Sequence, residues 1–222
     1  VTYKVYDRNG DLVAENIAGT DYSAQLPELT SYTMFFYTVS AVYDGKESEG
    51  TTSNRVGAGT FEVPIHIDLT DSNIFDLHQV VDVNDDGKTW VYDSTDGARY
   101  NYSGSNPGDD WLISPALTLE AGKAYTFTVK ARAHSSSYKE RFEVFMGREC
   151  NVESLTTEML GPTIVDKATY NNFEGVLRPE EDGLYYVGFH CISDKDRFRL
   201  YIKEYDINEG LPADYPDIVT DF

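Results

Sequence analysis

Apolar and polar positions alternate with a period of two along most of this chain. At 124–132, Tyr125, Phe127, Val129 and Ala131 fall on one side and Thr126, Thr128 and Lys130 on the other. Phe142, Val144 and Met146 repeat the pattern, and 183–192 and 198–205 give two more strong segments. Successive side chains of a strand point to opposite faces, so each segment predicts a strand with one face on a core. No segment keeps a 3.6-residue apolar period over a useful length, although 152–160 has room for a helical turn or two. Two packed antiparallel sheets bury such one-sided strands most economically. Two prolines interrupt the pattern. Pro64, inside the apolar stretch 61–69, marks an edge or a bulge. Pro115 has no N–H for a ladder and breaks Trp111-Leu112-Ile113 from Leu117-Thr118-Leu119, giving strand, short break, second strand.

Residues 1–57 are a run of shorter segments. Residues 1–6 alternate and stop at Asn9-Gly10, a hairpin dipeptide, before 12–14 returns. Segments 22–26 and 33–42 follow, the second placing Phe35, Tyr37, Val39 and Ala41 on one face, and Asp44-Gly45 turns the chain again. Leu29 to Phe35, followed by Tyr37-Thr38-Val39-Ser40-Ala41, resembles the E–F corner and strand F of a fibronectin type III module. That family places a tyrosine at the corner, with its hydroxyl bonded back to the backbone. Phe35 stands there instead, so either Tyr32 substitutes or the corner is relaxed. Such a module needs seven strands in about 100 residues, and only those resembling C to G precede residue 57. The tail, Leu-Pro-Ala-Asp-Tyr-Pro-Asp-Ile-Val-Thr-Asp-Phe at 211–222, resembles the opening of another such module. A piece of a longer array, beginning at Val1 rather than Met, accounts for both ends.

Three motifs follow in order: Asp-Val-Asn-Asp-Asp-Gly-Lys-Thr-Trp at 82–90, Asp-Asp-Trp-Leu-Ile-Ser-Pro-Ala-Leu-Thr-Leu at 109–119, and Tyr-Tyr-Val-Gly-Phe-His at 185–190. Together they resemble the cleaved-adhesin or choice-of-anchor-J type of jelly roll, a MAM-like domain of large secreted and surface-attached bacterial proteins. The expected fold class is therefore all-β: a jelly-roll β-sandwich at 61–209, behind a partial fibronectin type III-like β-sandwich at 1–57 and a linker at 58–60. Residues 210–222 are a further linker and the start of another module. The resemblance implies a non-catalytic binding or adhesion module, extracellular or on a cell surface, with a host or cell-surface protein or a glycan as partner.

Charge narrows the partners. The formal net charge is −20, from 38 acidic against 18 basic residues. Phosphates of a nucleic acid and an anionic membrane surface are both repelled by such a chain. No apolar run approaches the length of a membrane span, so membrane insertion is not expected. The two cysteines, Cys150 and Cys191, lie in no CxxC motif, and two free thiols are expected.

The sharpest chemical motif is the loop at 82–87. Asp82, Asn84, Asp86 and Gly87, with Asp93 six residues further on, follow the calcium-loop template D-x-[DN]-x-[DN]-G-x₅-E with Asp for the last Glu. Oxygen ligands alternate along a tight loop, Gly supplies the turn, and the Lys88 carbonyl occupies the seventh position. The alternative is a solvated acidic turn on Asp86-Gly87. The resemblance adds structural calcium to the first reading. Alternation through Phe198, Leu200 and Ile202 puts Glu204 on the inward face, where a carboxylate needs a partner or a metal, unless the strand emerges into water at this point, the reading favoured here. The resembling family has an Asp-Asp pair near this point, and this chain has Lys203-Glu204.

Catalytic patterns are few. His66, His78, His134 and His190 lie in separate segments, and no HExxH, GxSxG or Walker loop is present. A second functional reading is a carbohydrate-binding accessory domain of a secreted hydrolase or protease. There, Tyr100, Tyr102 and Trp111 offer stacking planes, against the commoner role of such aromatics as core or cross-strand pairs.

Overall fold

The computed structural model describes residues 1–19, 33–53 and 56–212. The strand expected at 22–26, the corner residue Tyr32 and the tail beyond 212 lie outside the described residues. The chain divides into two compact units, Val1–Gly59 and Thr60–Phe222.

The first unit holds β1 (Thr2–Tyr6), β2 (Leu12–Ile17), β3 (Thr33–Phe35), β4 (Thr38–Tyr43), β5 (Lys46–Glu47), β6 (Thr51–Thr52) and β7 (Val56–Ala58). One sheet runs β2-β1-β4-β5 with β6 also on β4, and β3 pairs with β7 separately. The single strand expected at 33–42 is therefore two strands in two sheets. Its anticipated inward face is also not the buried one: Val39 is exposed and Phe35 and Tyr37 are half-buried, whereas Ser40 is buried. The face that carries Ser40 is polar. Glu47 accepts hydrogen bonds from Lys4 Nζ, the Tyr6 hydroxyl and Ser40 Oγ, a polar network across β1, β4 and β5.

The second unit is a jelly-roll β-sandwich. Its strands are β8 (Phe61–Glu62), β9 (Ile65–Asp68), β10 (Gln79–Asp82), β11 (Trp90–Asp93), β12 (Gly97–Asn101), β13 (Asp110–Ile113) and β14 (Leu117–Leu119). Then follow β15 (Tyr125–Ala133), β16 (Glu140–Gly147), β17 (Thr157–Val165), β18 (Asn171–Leu177), β19 (Gly183–Cys191) and β20 (Arg199–Glu209). One helical turn, Ser72–Phe75, is capped by Asp71, and a 3₁₀ turn covers Val152–Ser154.

In the first sheet β19 is central, with β16 and then β17 on one side. On its other side both β13 and β14 pair with it, split at Pro115 as the sequence predicts. In the second sheet β20 is central, between β15-β18 and the pair β12 and β9. Pro64 lies between β8, which joins the first sheet, and β9, which joins the second, so it marks a change of sheet. Burial alternates strictly along β15, and Phe127 and Tyr205 of the second sheet pack against Phe189 of the first. Where β12 meets β20, Gly97 has φ +82° and an added Cβ would stand 2.6 Å from the Ile202 carbonyl oxygen, so this close approach requires glycine.

Candidate functional site

Four loops gather at one end of the sandwich: 83–89, 102–109, 134–139 and 192–198. Register puts them there. Asn101 pairs with Arg199 and Ala133 with Leu200 in the second sheet, while Asp82 pairs with Asp110 and Asp110 with Cys191 in the first.

The acidic loop closes on itself. Asp82 accepts from the N–H groups of Asp86 and Gly87, Asn84 Oδ1 from Asp86 N–H, and Asp86 Oδ1 from Lys88 N–H. Asn106 Nδ2 donates to the other oxygen of Asp86 at 3.1 Å. Gly87, at φ +72°, makes the turn. These bonds leave lone pairs on the same oxygens. Behind the loop lies Asp110, 0 % exposed, whose Oδ1 accepts no hydrogen bond of good geometry, although the hydroxyls of Thr89 and Tyr100 stand close enough to act on its carboxyl. Burial, with the negative charges of Asp82 and Asp86 adding to it, pushes the Asp110 carboxyl up to about 6. The buried Tyr100 hydroxyl is also held above its ordinary value, chiefly by burial.

Two of the expected calcium ligands are elsewhere. After Trp90 the chain is extended, and at about 3.3 Å per residue β11 carries Asp93 roughly 10 Å along the strand. There Asp93 accepts from Thr95 and Asp96 N–H groups and pairs with Arg99 at 3.3 Å. Glu204 is turned out of the core by a β-bulge. Lys130 pairs with Glu204 and Ala131 with Ile202, so Lys203 is the extra residue, and the buried positions change from Leu200 and Ile202 to Tyr205 and Ile207. Its carboxylate meets Lys130 Nζ at 2.9 Å. Among the described residues no three His, Cys, Asp or Glu side chains already converge on a metal position.

The aromatic residues divide similarly. Tyr100 and Trp111 are buried, so neither offers a plane to a ligand. Tyr100 packs edge-on against Trp90. Trp111 stacks on His190 at 4.1 Å and 7°, and that imidazole is held between Glu143 (Nδ1, 2.9 Å) and Asp109 (Nε2, 2.8 Å). Tyr102 is only half-buried and stacks on Phe198 at 5.5 Å and 26°, with Tyr138, 44 % exposed, on the same Phe198 at 6.0 Å and 30°. An open cleft of about 460 Å³ beside this strip is lined by Gly87, Lys88, Asn101, Tyr102, Asp196 and Arg199, among others. Sequence reasoning missed Phe198, Tyr138, Arg199 and Asp110. The run Lys195-Asp196-Arg197-Phe198-Arg199, basic and aromatic in an acidic chain, was the available signal for two of them.

No family model matches the chain, and no curated protein matches it. Solved structures do. The K3 cleaved adhesin domain of Lys-gingipain from Porphyromonas gingivalis superposes with a TM-score of 0.52 at 18% identity, over 65% of this chain and 98% of that domain. The K1 domain of the same protein gives 0.51 at 18%, over 66% and 98%. The CBM22-1 xylan-binding domain from Paenibacillus barcinonensis gives 0.43 at 8%, over 67% and 95%. At such identities the likeness to the two adhesin domains establishes a shared fold.

Both thiols are free, Cys191 buried and Cys150 half-buried. No helix among the described residues is long and apolar enough to cross a membrane.

Proposed function

We propose that the jelly roll is a non-catalytic extracellular binding module of a larger secreted or surface-attached protein, and that it engages its partner through the loop face. The observation that carries this reading is the convergence there of an open cleft, a partly exposed aromatic strip and two cations. Binding is favoured over hydrolysis because the two buried carboxyls with raised pKa, Asp110 and Glu140, do not line the cleft. That the Lys-gingipain domains are named adhesin domains supports a cell-surface protein as partner. A glycan is the second reading, favoured by the strip of Tyr102, Phe198 and Tyr138.

Calcium belongs to the same proposal. Asp82, Asn84 and Asp86 with the Lys88 carbonyl are assigned to it, and Asp110 takes the place of Asp93 and Glu204. The support is Asp110 Oδ1, buried without a hydrogen bond of good geometry, in a carboxyl whose pKa is raised by burial and further by the charges of Asp82 and Asp86. Calcium would neutralise that cluster and fix the loop that forms one wall of the cleft. Calorimetric titration of chelator-treated protein, with melts at matched ionic strength, tests this. Binding heat at millimolar calcium and a raised melt are expected, with about 2.7 kcal/mol of stabilisation at a hundred times the dissociation constant. No heat and an unchanged melt would return the loop to an acidic turn. The module reading is tested separately: Arg199→Gln should weaken adherence to immobilised cell-surface material, and undiminished adherence counts against the loop face.

A further inference from the structure

We propose that the cleft takes an anionic saccharide, a sugar unit carrying a carboxylate or a sulfate. This rests on the binding-module reading and names the ligand class. Acids outnumber bases by 38 to 18, and six lysines and arginines of the jelly roll, Arg99, Lys123, Lys130, Arg132, Arg148 and Arg197, are held in ion pairs. Lys88 and Arg199 make none among the described residues, and both line the same cleft. The Arg199 guanidinium lies over the Phe198 ring at 4.9 Å, which orients its plane while leaving its N–H donors for an anion. The Tyr102 ring on the adjoining wall suits the C–H face of a pyranose, and Asn101 and Asp196 offer a donor and an acceptor to its hydroxyls. Space is available: a Cβ added at Gly87 or Gly104 meets nothing within 4 Å, and a cleft of about 460 Å³ is within the range of small-ligand sites. The site attracts an anion against the field of the whole chain, so recognition rests on these short contacts rather than on long-range steering.

Calorimetry on the intact protein, run both in millimolar calcium and in chelator, tests this with three probes of equal length: an oligogalacturonate, a sulfated galacto-oligosaccharide and a neutral galacto-oligosaccharide. One or both anionic probes should bind, and the neutral one should bind about tenfold more weakly or not at all. The pair of anionic probes separates carboxylate from sulfate. Arg199→Gln should lose about tenfold, the loss of one charge-assisted hydrogen bond. Tyr102→Ala should weaken binding, and Lys88→Gln, on an exposed loop where folding is not at stake, should weaken it with an unchanged melt. Asp196→Asn, which removes the opposing charge, should tighten binding, while Lys123→Gln at the opposite end changes nothing. Equal binding of the neutral probe overturns the anionic assignment. Binding of none of the three overturns a saccharide ligand, and the adherence assay with Arg199→Gln then decides separately whether the loop face binds a protein.

Discussion

Asp110 has no exposure and one oxygen without a hydrogen bond of good geometry, so ionising it in place costs free energy that the unfolded chain does not pay. Its carboxyl is raised to about 6 from 3.8, so the folded state holds the proton more tightly and stability falls as pH rises through that window. His78 works the other way. It is buried, its Nδ1 bonded to the Ile74 carbonyl and its Nε2 to the Tyr205 hydroxyl, and burial lowers it to about 4 from 6.5. Stability from the neutral ring is therefore lost as pH falls from 6.5 through 4. Each effect is worth about 3 kcal/mol, so between about pH 4 and 6 the two slopes oppose one another. Asp110→Asn should unmask His78. In chelator at pH 7 this variant should melt above the wild type, then lose stability on acidification where the wild type stays nearly flat. With calcium added at pH 7 the wild type should recover the difference, because the variant lacks a ligand. A variant that melts lower than wild type in chelator at pH 7 would show that Asp110 is stabilising as an anion.

At the scale of elements, the break at Pro115 is bridged by the residue before it. Ser114 N–H donates to the Val187 carbonyl, and Ser114 Oγ accepts from Val187 N–H at 2.9 Å while donating to the Pro115 carbonyl. The hydroxyl thus satisfies a backbone donor of β19 that the interrupted ladder leaves free. Ser114→Ala should cost about 1–3 kcal/mol in urea melts through that buried, unpaired N–H, and no measurable loss would contradict this role. The break itself was legible, because proline has no donor whatever its surroundings. So were β15 and β16, whose faces differ plainly in polarity. Strand β13 was not: all four residues from Asp110 to Ile113 are buried, so alternation carried no sign that Asp110 lies inside. The face of Glu204 stayed open between two readings for a related reason. A period-two reading assumes an unbroken ladder, and the bulge at Lys203 is decided by the pairing of β20 with β15. Tyr138 lies on a loop with no period at all, Phe198 stands just before β20 where alternation counted it inward, and only register between distant strands brings them to Tyr102.

For the molecule as a whole, burial is uneven between the two units. The main hydrophobic cluster runs from Ile65 to Ile207, entirely within the jelly roll, and contains Trp90, Phe127, Phe142 and Phe189. Among residues 1–19, 35–53 and 59 of the first unit the buried ones are Val5 and Ser40, and Leu12, Val13 and Tyr43 are exposed. Apolar burial supplies roughly 25 cal/mol per Å², so these described residues of the first unit have far less to set against their chain entropy. The Lys4–Glu47 pair does not make up the difference, since it is partly exposed and ion pairs of that kind contribute little. The two units should therefore unfold separately in urea, Val1–Gly59 first. The chain provides its own reporters, because both tryptophans, Trp90 and Trp111, belong to the jelly roll. Fluorescence then follows only the second transition, whereas far-ultraviolet circular dichroism follows both. The dichroism curve should begin to fall at lower urea than the fluorescence curve, and calcium should move the fluorescence midpoint while leaving the early phase in place. Coincident curves would mean that the two units unfold as one cooperative body.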